Sequence, residues 1–289
     1  MLDLRRFAPL ALALLGCRPS TSSPDVEGTA PPTSEPTSEP TSAPTTDQTT
    51  AAASEPSLPM NRAQLEALVA APDRTPEDRK ADERRAPVDL LHFLGIAPGM
   101  RVADIGAGLG YTTELLARAV GPTGAVYGQN PAFVLERFAE KGWSARLTKP
   151  VMANVVRLDR PFDDPFPADL TGLDAVINVL FYHDFEWQGV DRAAHNAAVF
   201  RALNPGGIYV LVDHSAQQGA GVSGSKTLHR IEQALLQREL EAAGFELVDE
   251  ANFLRNPADT RDWNALPWRS ERDEQSDRFV LKFRRPQRR

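Results

Sequence analysis

With one cysteine in 289 residues, the chain has no partner for a disulfide and no thiolate set for a zinc centre. Long apolar runs are also missing. The run near the start, Phe7 to Leu15, falls well short of the ~20 residues that a bilayer-spanning helix needs, which excludes a multi-span membrane protein. A one-signed charge surplus is absent from the body of the chain. The formal net charge is −7, but the first 59 residues carry three basic and seven acidic groups, and the remainder holds 29 against 32. That balance excludes the basic footprint of a nucleic-acid binder. Proline is plentiful only at the start, where nine of the 24 lie between Pro19 and Pro59.

What is present begins with the placement of that cysteine. Residues 1–16 carry Arg5 and Arg6, then the short apolar run, as a secretory signal does. The sequence Leu14-Leu15-Gly16-Cys17 resembles the bacterial lipobox. The resemblance implies cleavage after Gly16, a diacylglycerol group on the Cys17 sulfur, and an exported, periplasm-facing lipoprotein held in the outer or inner membrane by acyl chains. An ordinary signal peptide with an incidental cysteine competes with this reading. Residues 17–59 repeat Pro-Thr-Ser-Glu units and offer little apolar surface to offset the entropy of ordering, so a disordered Ser/Thr/Pro-rich tether is expected.

After the tether the pattern turns to alternating helix and strand signals, the mark of an α/β domain. Residues 60–99 read as an N-terminal helical cap, with helices over Asn61 to Ala71 and within Pro76 to Leu94. Residues 100–289 read as one doubly wound, mostly parallel sheet. Strands are expected at Arg101–Ile105, Ala125–Gly128, Val155–Leu158, Asp174–Leu180, Ile208–Asp213, Phe245–Asp249 and Arg278–Phe283. Helices are expected at Thr112–Val120, Pro131–Glu140, Asp191–Leu203 and Thr227–Ala243. The last two strands have no helix between them, which points to antiparallel pairing at one end of the sheet.

The first chemical motif is Asp104-Ile105-Gly106-Ala107-Gly108-Leu109-Gly110. Glycines at a strand-to-helix turn let the backbone approach a ligand closely, and the helix start offers free amides. A dinucleotide fingerprint places its third glycine one residue later than here. The acid followed by G-x-G-x-G instead resembles motif I of the class I S-adenosylmethionine-dependent methyltransferases. Pro98-Gly99-Met100 and Leu203-Asn204-Pro205-Gly206-Gly207 resemble turns of the same family. Segments such as VYGQNP, YHDFEWQGVDR and KTLHRIE resemble a group of exported bacterial chains described as methyltransferases by inference. The resemblance implies a seven-stranded Rossmann-like sheet of order 3-2-1-4-5-7-6 with strand 7 antiparallel. It implies S-adenosyl-L-methionine as cofactor, held by Asp104, Gly106, Ala107, Gly108 and Gly110, with Asn178 and Asp159 as further contacts. Where the family commonly has an acid for the ribose hydroxyls, this chain has Gln129-Asn130. These amides are the ribose candidates, against a reading in which Asn130 only caps the next helix.

A second constellation joins the ends of two strands expected to be neighbours: Tyr182-His183-Asp184 and Asp213-His214. All five are candidate catalytic residues, with His183 or His214 as a general base oriented by a carboxylate. The same set has ligand types suited to a divalent metal, although the favoured reading requires none. Capping or a solvated rim is the structural reading. His229 is expected inside a helix as a partly buried structural histidine. Arg74, Arg79, Arg84 and Arg85 are candidates for covering the cofactor and recognising an anion. Together these features point to methyl transfer to a small-molecule acceptor. Export from the compartment where the cofactor is made favours, as a rival, an inactive methyltransferase-fold binding protein. A hydrolase or metal-dependent enzyme built on the His-Asp rim is the third reading.

Overall fold

The computed structural model describes residues 58–266 and 275–287. The expected signal peptide, Cys17 and nearly all of the 17–59 tether lie outside the described residues. Among the described residues no helix is long and apolar enough to cross a membrane.

Local capping chemistry explains the first elements. Asn61 accepts from the Gln64 amide while the Gln64 side chain accepts from the Asn61 amide, a reciprocal box that starts α1 (Arg62–Val69). Thr75 caps α2 (Pro76–Arg85), and prolines stand at the first positions of α2 and α3 (Pro87–Leu94). Leu90, Leu91 and Leu94 turn one side of α3 into the core, beside Leu65 of α1.

The sheet follows. Its strands are β1 (Arg101–Ile105), β2 (Ala125–Asn130), β3 (Val155–Asp159), β4 (Leu173–Val179), β5 (Leu203–His214), β6 (Glu246–Ala251) and β7 (Arg278–Arg284). Their spatial order is β3-β2-β1-β4-β5-β7-β6. All neighbours are parallel except β7, which runs antiparallel to both β5 and β6. This is the expected class I methyltransferase order. Central strands β1 and β4 are almost continuously buried, as parallel strands covered on both faces must be, whereas edge strands β3 and β6 have no fully buried residue.

The intervening helices are α4 (Tyr111–Val120), a short α5 (Ala132–Val134) that runs through a π-helical turn into α6 (Glu140–Leu147), and α7 (Arg192–Ala202). A short α8 (Ser225–Leu228) and α9 (Gln233–Ala242) complete the set. Two expectations are corrected. The helix expected at 131–140 continues to Leu147, and the one expected at 227–243 is broken at His229. The break has a tertiary cause. Ile231 pairs its backbone with Ser215 beside β5, and Arg230 is drawn inward to Asp259 at 2.8 Å and to the Ser215 carbonyl at 2.9 Å. His229 therefore takes the left-handed conformation, φ 53°.

A buried acid ties the N-terminal helices to the sheet. Glu114, on α4 and 1% exposed, accepts from Arg118, Arg146 and Lys149 at 2.6–2.8 Å, and Arg146 also reaches Asp78 of α2 at 2.8 Å. A buried carboxylate persists only with such partners.

Candidate functional site

The carboxyl ends of the parallel strands form a rim with two halves. On the β1–β2 side, Gly106, Gly108 and Gly110 all have left-handed backbone, φ 67°, 56° and 82°. A Cβ on Gly106 would lie 2.4 Å from the Phe181 ring, and one on Gly110 would lie 2.5 Å from Trp143. A Cβ on Gly108 would meet only the Gly106 carbonyl, at 3.9 Å, so this glycine leaves its outer face open.

Two amides brace the turn from behind. Gln129 accepts from the Gly106 amide at 3.1 Å and donates to the Arg160 carbonyl at 2.5 Å. Asn130 accepts from the Gly108 amide at 2.8 Å and donates back to the Gly108 carbonyl at 3.1 Å. Both side chains are fully buried. A carboxylate at 130 could not donate to that carbonyl, which gives the amide at this position a structural reason. Asn130 does not cap α5.

Asp104 lies beneath the turn, 2% exposed, and accepts from the Thr113 hydroxyl at 2.6 Å. Burial pushes its carboxyl up to about 7, against the pull of Thr113 and Arg85. Next to it Arg85, Tyr111, Thr112, Leu180, Val212 and Arg278 line a narrow cavity. The Arg85 guanidinium lies over the Tyr111 ring at 4.8 Å and has no carboxylate partner among the described residues. Arg74 is committed to Asp82 and Arg79 to the Ala71 carbonyl, so of the four candidate arginines only Arg85 lines the cavity. Arg278, which the sequence reading missed, adds a second cation. Its Nε is buried without a hydrogen-bond partner. Asn178, at the end of β4, is 1% exposed, and neither of its amide atoms has a partner. Asp159 stands apart, half-exposed on the outer strand β3 and paired with Arg157 at 2.7 Å.

On the β4–β5 side, four of the five candidates converge. Asp213 Oδ1 lies 2.6 Å from His183 Nδ1 and accepts from the His214 amide, and Oδ2 accepts from the His183 amide at 2.8 Å. His183 Nε2 lies 3.0 Å from Asp184 Oδ1. The His183 and His214 ring centroids are 5.7 Å apart. Tyr182 does not join them. Its hydroxyl points into the α7–α9 interface, where it donates to Glu239 at 2.9 Å and accepts from Asn196 at 2.9 Å. Tyr182–Phe185 is a 3-10 turn, on which Tyr182 shares its side with Phe185, 5.0 Å away between ring centroids, rather than with His183 and Asp184. His229 replaces it: its Nδ1 is 3.1 Å from Asp184 Oδ1, and its ring centroid is 5.4 Å from that of His183.

The two central histidines differ in proton affinity. Burial acts to lower His183, but the Asp213 and Asp184 carboxylates outweigh it and hold the ring up to about 10. That pull favours the protonated ring. His214 is depressed well below the ordinary histidine value by burial and by the neighbouring cations, so its ring is neutral. Its Nδ1 lies 2.6 Å from the Ser276 hydroxyl.

Fold and rim together define a class I methyltransferase fold. The protein-L-isoaspartate(D-aspartate) O-methyltransferase family matches residues 85–148, from Arg85 through the glycine turn to the end of α6. Among solved structures, a SAM-dependent methyltransferase from Aquifex aeolicus superposes with a TM-score of 0.51 at 15% identity, over 78% of this chain and 98% of that one. A Galdieria sulphuraria protein, provisionally named a sarcosine dimethylglycine methyltransferase, gives 0.52 at 13% identity over 79% and 92%. No curated protein sequence matches the chain.

Proposed function

We propose that the chain is an S-adenosyl-L-methionine-dependent methyltransferase that acts on a small-molecule acceptor. The carrying observation is the buried Asp104 under three left-handed glycines at the β1–α4 turn of a sheet with this strand order. The matched family points the same way.

The residues present fit the cofactor on three counts. Gly108 offers open backbone, Asn178 has two unpartnered buried amide atoms, and Arg85 with the orphaned Arg278 Nε offers cations that suit a carboxylate. When bound, S-adenosyl-L-methionine supplies a methyl group activated by its sulfonium. The chain's contribution is placement. The glycine turn and Asn178 fix the position along the rim, and Arg85 holds a negative end. Gln129 and Asn130 act through the turn they brace rather than as direct ribose contacts. His183 is oriented by Asp213 at the β4–β5 end of the rim, and the neutral His214 ring lies beside it. The resemblance of Leu14-to-Cys17 to a lipobox supports an exported, lipid-anchored protein as part of this reading.

The test is calorimetric titration of S-adenosyl-L-methionine into the full chain and into Arg85→Ala and Asp104→Ala. Micromolar binding that falls at least tenfold in both variants is expected. Absence of binding by a folded wild-type chain would refute the cofactor assignment and favour the inactive binding-protein reading.

A further inference from the structure

The His-Asp half of the rim has a geometry that methyl transfer does not require. Asp184 Oδ1 has two imidazole nitrogens close to it, His183 Nε2 at 3.0 Å and His229 Nδ1 at 3.1 Å. One potential ligand atom from each of the three residues lies within 4.8 Å of the others. Two ligands of one tetrahedral ion, with bonds of ~2.0–2.1 Å, stand roughly 3.3 Å apart. The two nitrogen–oxygen spacings are close to those of a coordination shell, slightly contracted around an empty centre.

Three further observations separate it from an ordinary ion-paired cluster. First, His183 Nε2 is buried and its one neighbouring acceptor is Asp184 Oδ1, at 3.0 Å, so this nitrogen is committed to nothing outside the cluster. Second, the other nitrogen of the ring, Nδ1, is held at 2.6 Å by Asp213, itself fixed by the His183 and His214 amides. A carboxylate behind one imidazole nitrogen orients the opposite one for a metal and raises its basicity. Third, His229 reaches the cluster only because the helix is broken there, with this non-glycine residue left-handed at φ 53°. That conformation costs about 1–2 kcal/mol, and such strain gathers at functional sites.

We infer that His183 Nε2, Asp184 and His229 Nδ1 form a binding site for one divalent first-row transition-metal ion, with Asp213 as the positioning residue behind His183. Two imidazoles and one carboxylate suit zinc, cobalt or iron(II) and leave coordination positions for water or an oxygen ligand. Entry is from the Asp184 side, where the side chain is 15% exposed against 1% for His183. The Trp187 indole donates to Asp184 Oδ1 at 2.7 Å and steadies the carboxylate.

The test uses the full chain, stripped with chelator and titrated with Co²⁺ followed by Zn²⁺ in competition, with the visible cobalt spectrum as readout. The expected result is one ion per chain, with a d–d band in the range of low-coordinate cobalt. His229→Gln and Asp184→Asn, both at the more open side of the cluster, should each weaken binding at least tenfold. Asp213→Asn, which touches no ion, should weaken it by ~10–100-fold. His92→Ala, on the exposed face of α3, should leave it unchanged. A folded wild-type chain that takes up neither ion, or that binds both equally well in the His229 and Asp184 variants, would overturn the assignment.

Discussion

The two halves of the rim solve opposite problems. The glycine half satisfies itself: the amides of Gln129 and Asn130 spend their donors and acceptors on Gly106, Gly108 and Arg160, and only Gly108 keeps an open face. The histidine half concentrates charge, with the buried His183 ring between the Asp213 and Asp184 carboxylates and Nε2 committed to nothing outside the cluster. A cradle must be rigid and complete before a ligand arrives, whereas a reactive cluster needs something left over to give. The comparison assigns placement to the first half and chemistry to the second.

The variant with the largest expected effect attacks the device that builds the second half. Arg230→Met leaves Asp259 as a buried carboxylate without its 2.8 Å partner, and loss of one member of such a pair costs about 3–5 kcal/mol. Denaturant unfolding should show that loss. At permissive temperature the folded fraction should lose cobalt binding while keeping cofactor binding, because His229 is released but the glycine turn is not. Equal loss of both would make the rim a single cooperative unit.

Asp104 offers an intermediate effect in the first half. Its folded value of about 7 lies above the ordinary 3.8, so the charged form is disfavoured by folding. The sign follows: its contribution to stability is complete below about pH 4 and is lost as pH rises through 7. At ~1.4 kcal/mol per tenfold, the wild-type chain should lose a few kcal/mol relative to Asp104→Asn between pH 4 and pH 8. Unfolding curves of the two chains at both pH values check it, and a gap that stays constant would show that Asp104 is already charged at low pH.

The smallest effect concerns strain. His229→Gly should stabilise the fold by about 1 kcal/mol, since glycine adopts φ 53° without penalty, while it removes a metal ligand. Thermal melts with chelator present read the gain. A destabilised glycine variant would mean that the His229–Asp184 contact contributes more than the backbone costs.

The sequence announced these halves unequally. The glycine half was legible because its parts are contiguous: Asp104 to Gly110 is one turn, and Gln129-Asn130 ends the adjacent strand. Even so, the reason for the amides was not, because it depends on the Gly108 carbonyl 22 residues away. The α/β class and the antiparallel terminal pair were readable from the alternation of elements and the missing crossover before β7, whereas the strand order came from the resemblance of the glycine motif and its flanking turns to the methyltransferase family. In the histidine half, His183, Asp184, Asp213 and His214 were identified because β4 and β5 are neighbours. Tyr182 was misplaced because alternation fails on the turn after β4. His229 was hidden by a local pattern that favours helix, which the Ile231 bridge and the Arg230–Asp259 pair override. No local signal marks such a break.

The division of labour is tested most directly by titrating S-adenosylhomocysteine into the full wild-type chain, Asp104→Ala, and the double variant Asp184→Asn/His229→Gln. The account predicts micromolar binding by the wild type, retained within threefold in the double variant and lost in Asp104→Ala. A folded wild-type chain that does not bind, or a double variant that loses binding as completely as Asp104→Ala, would contradict it.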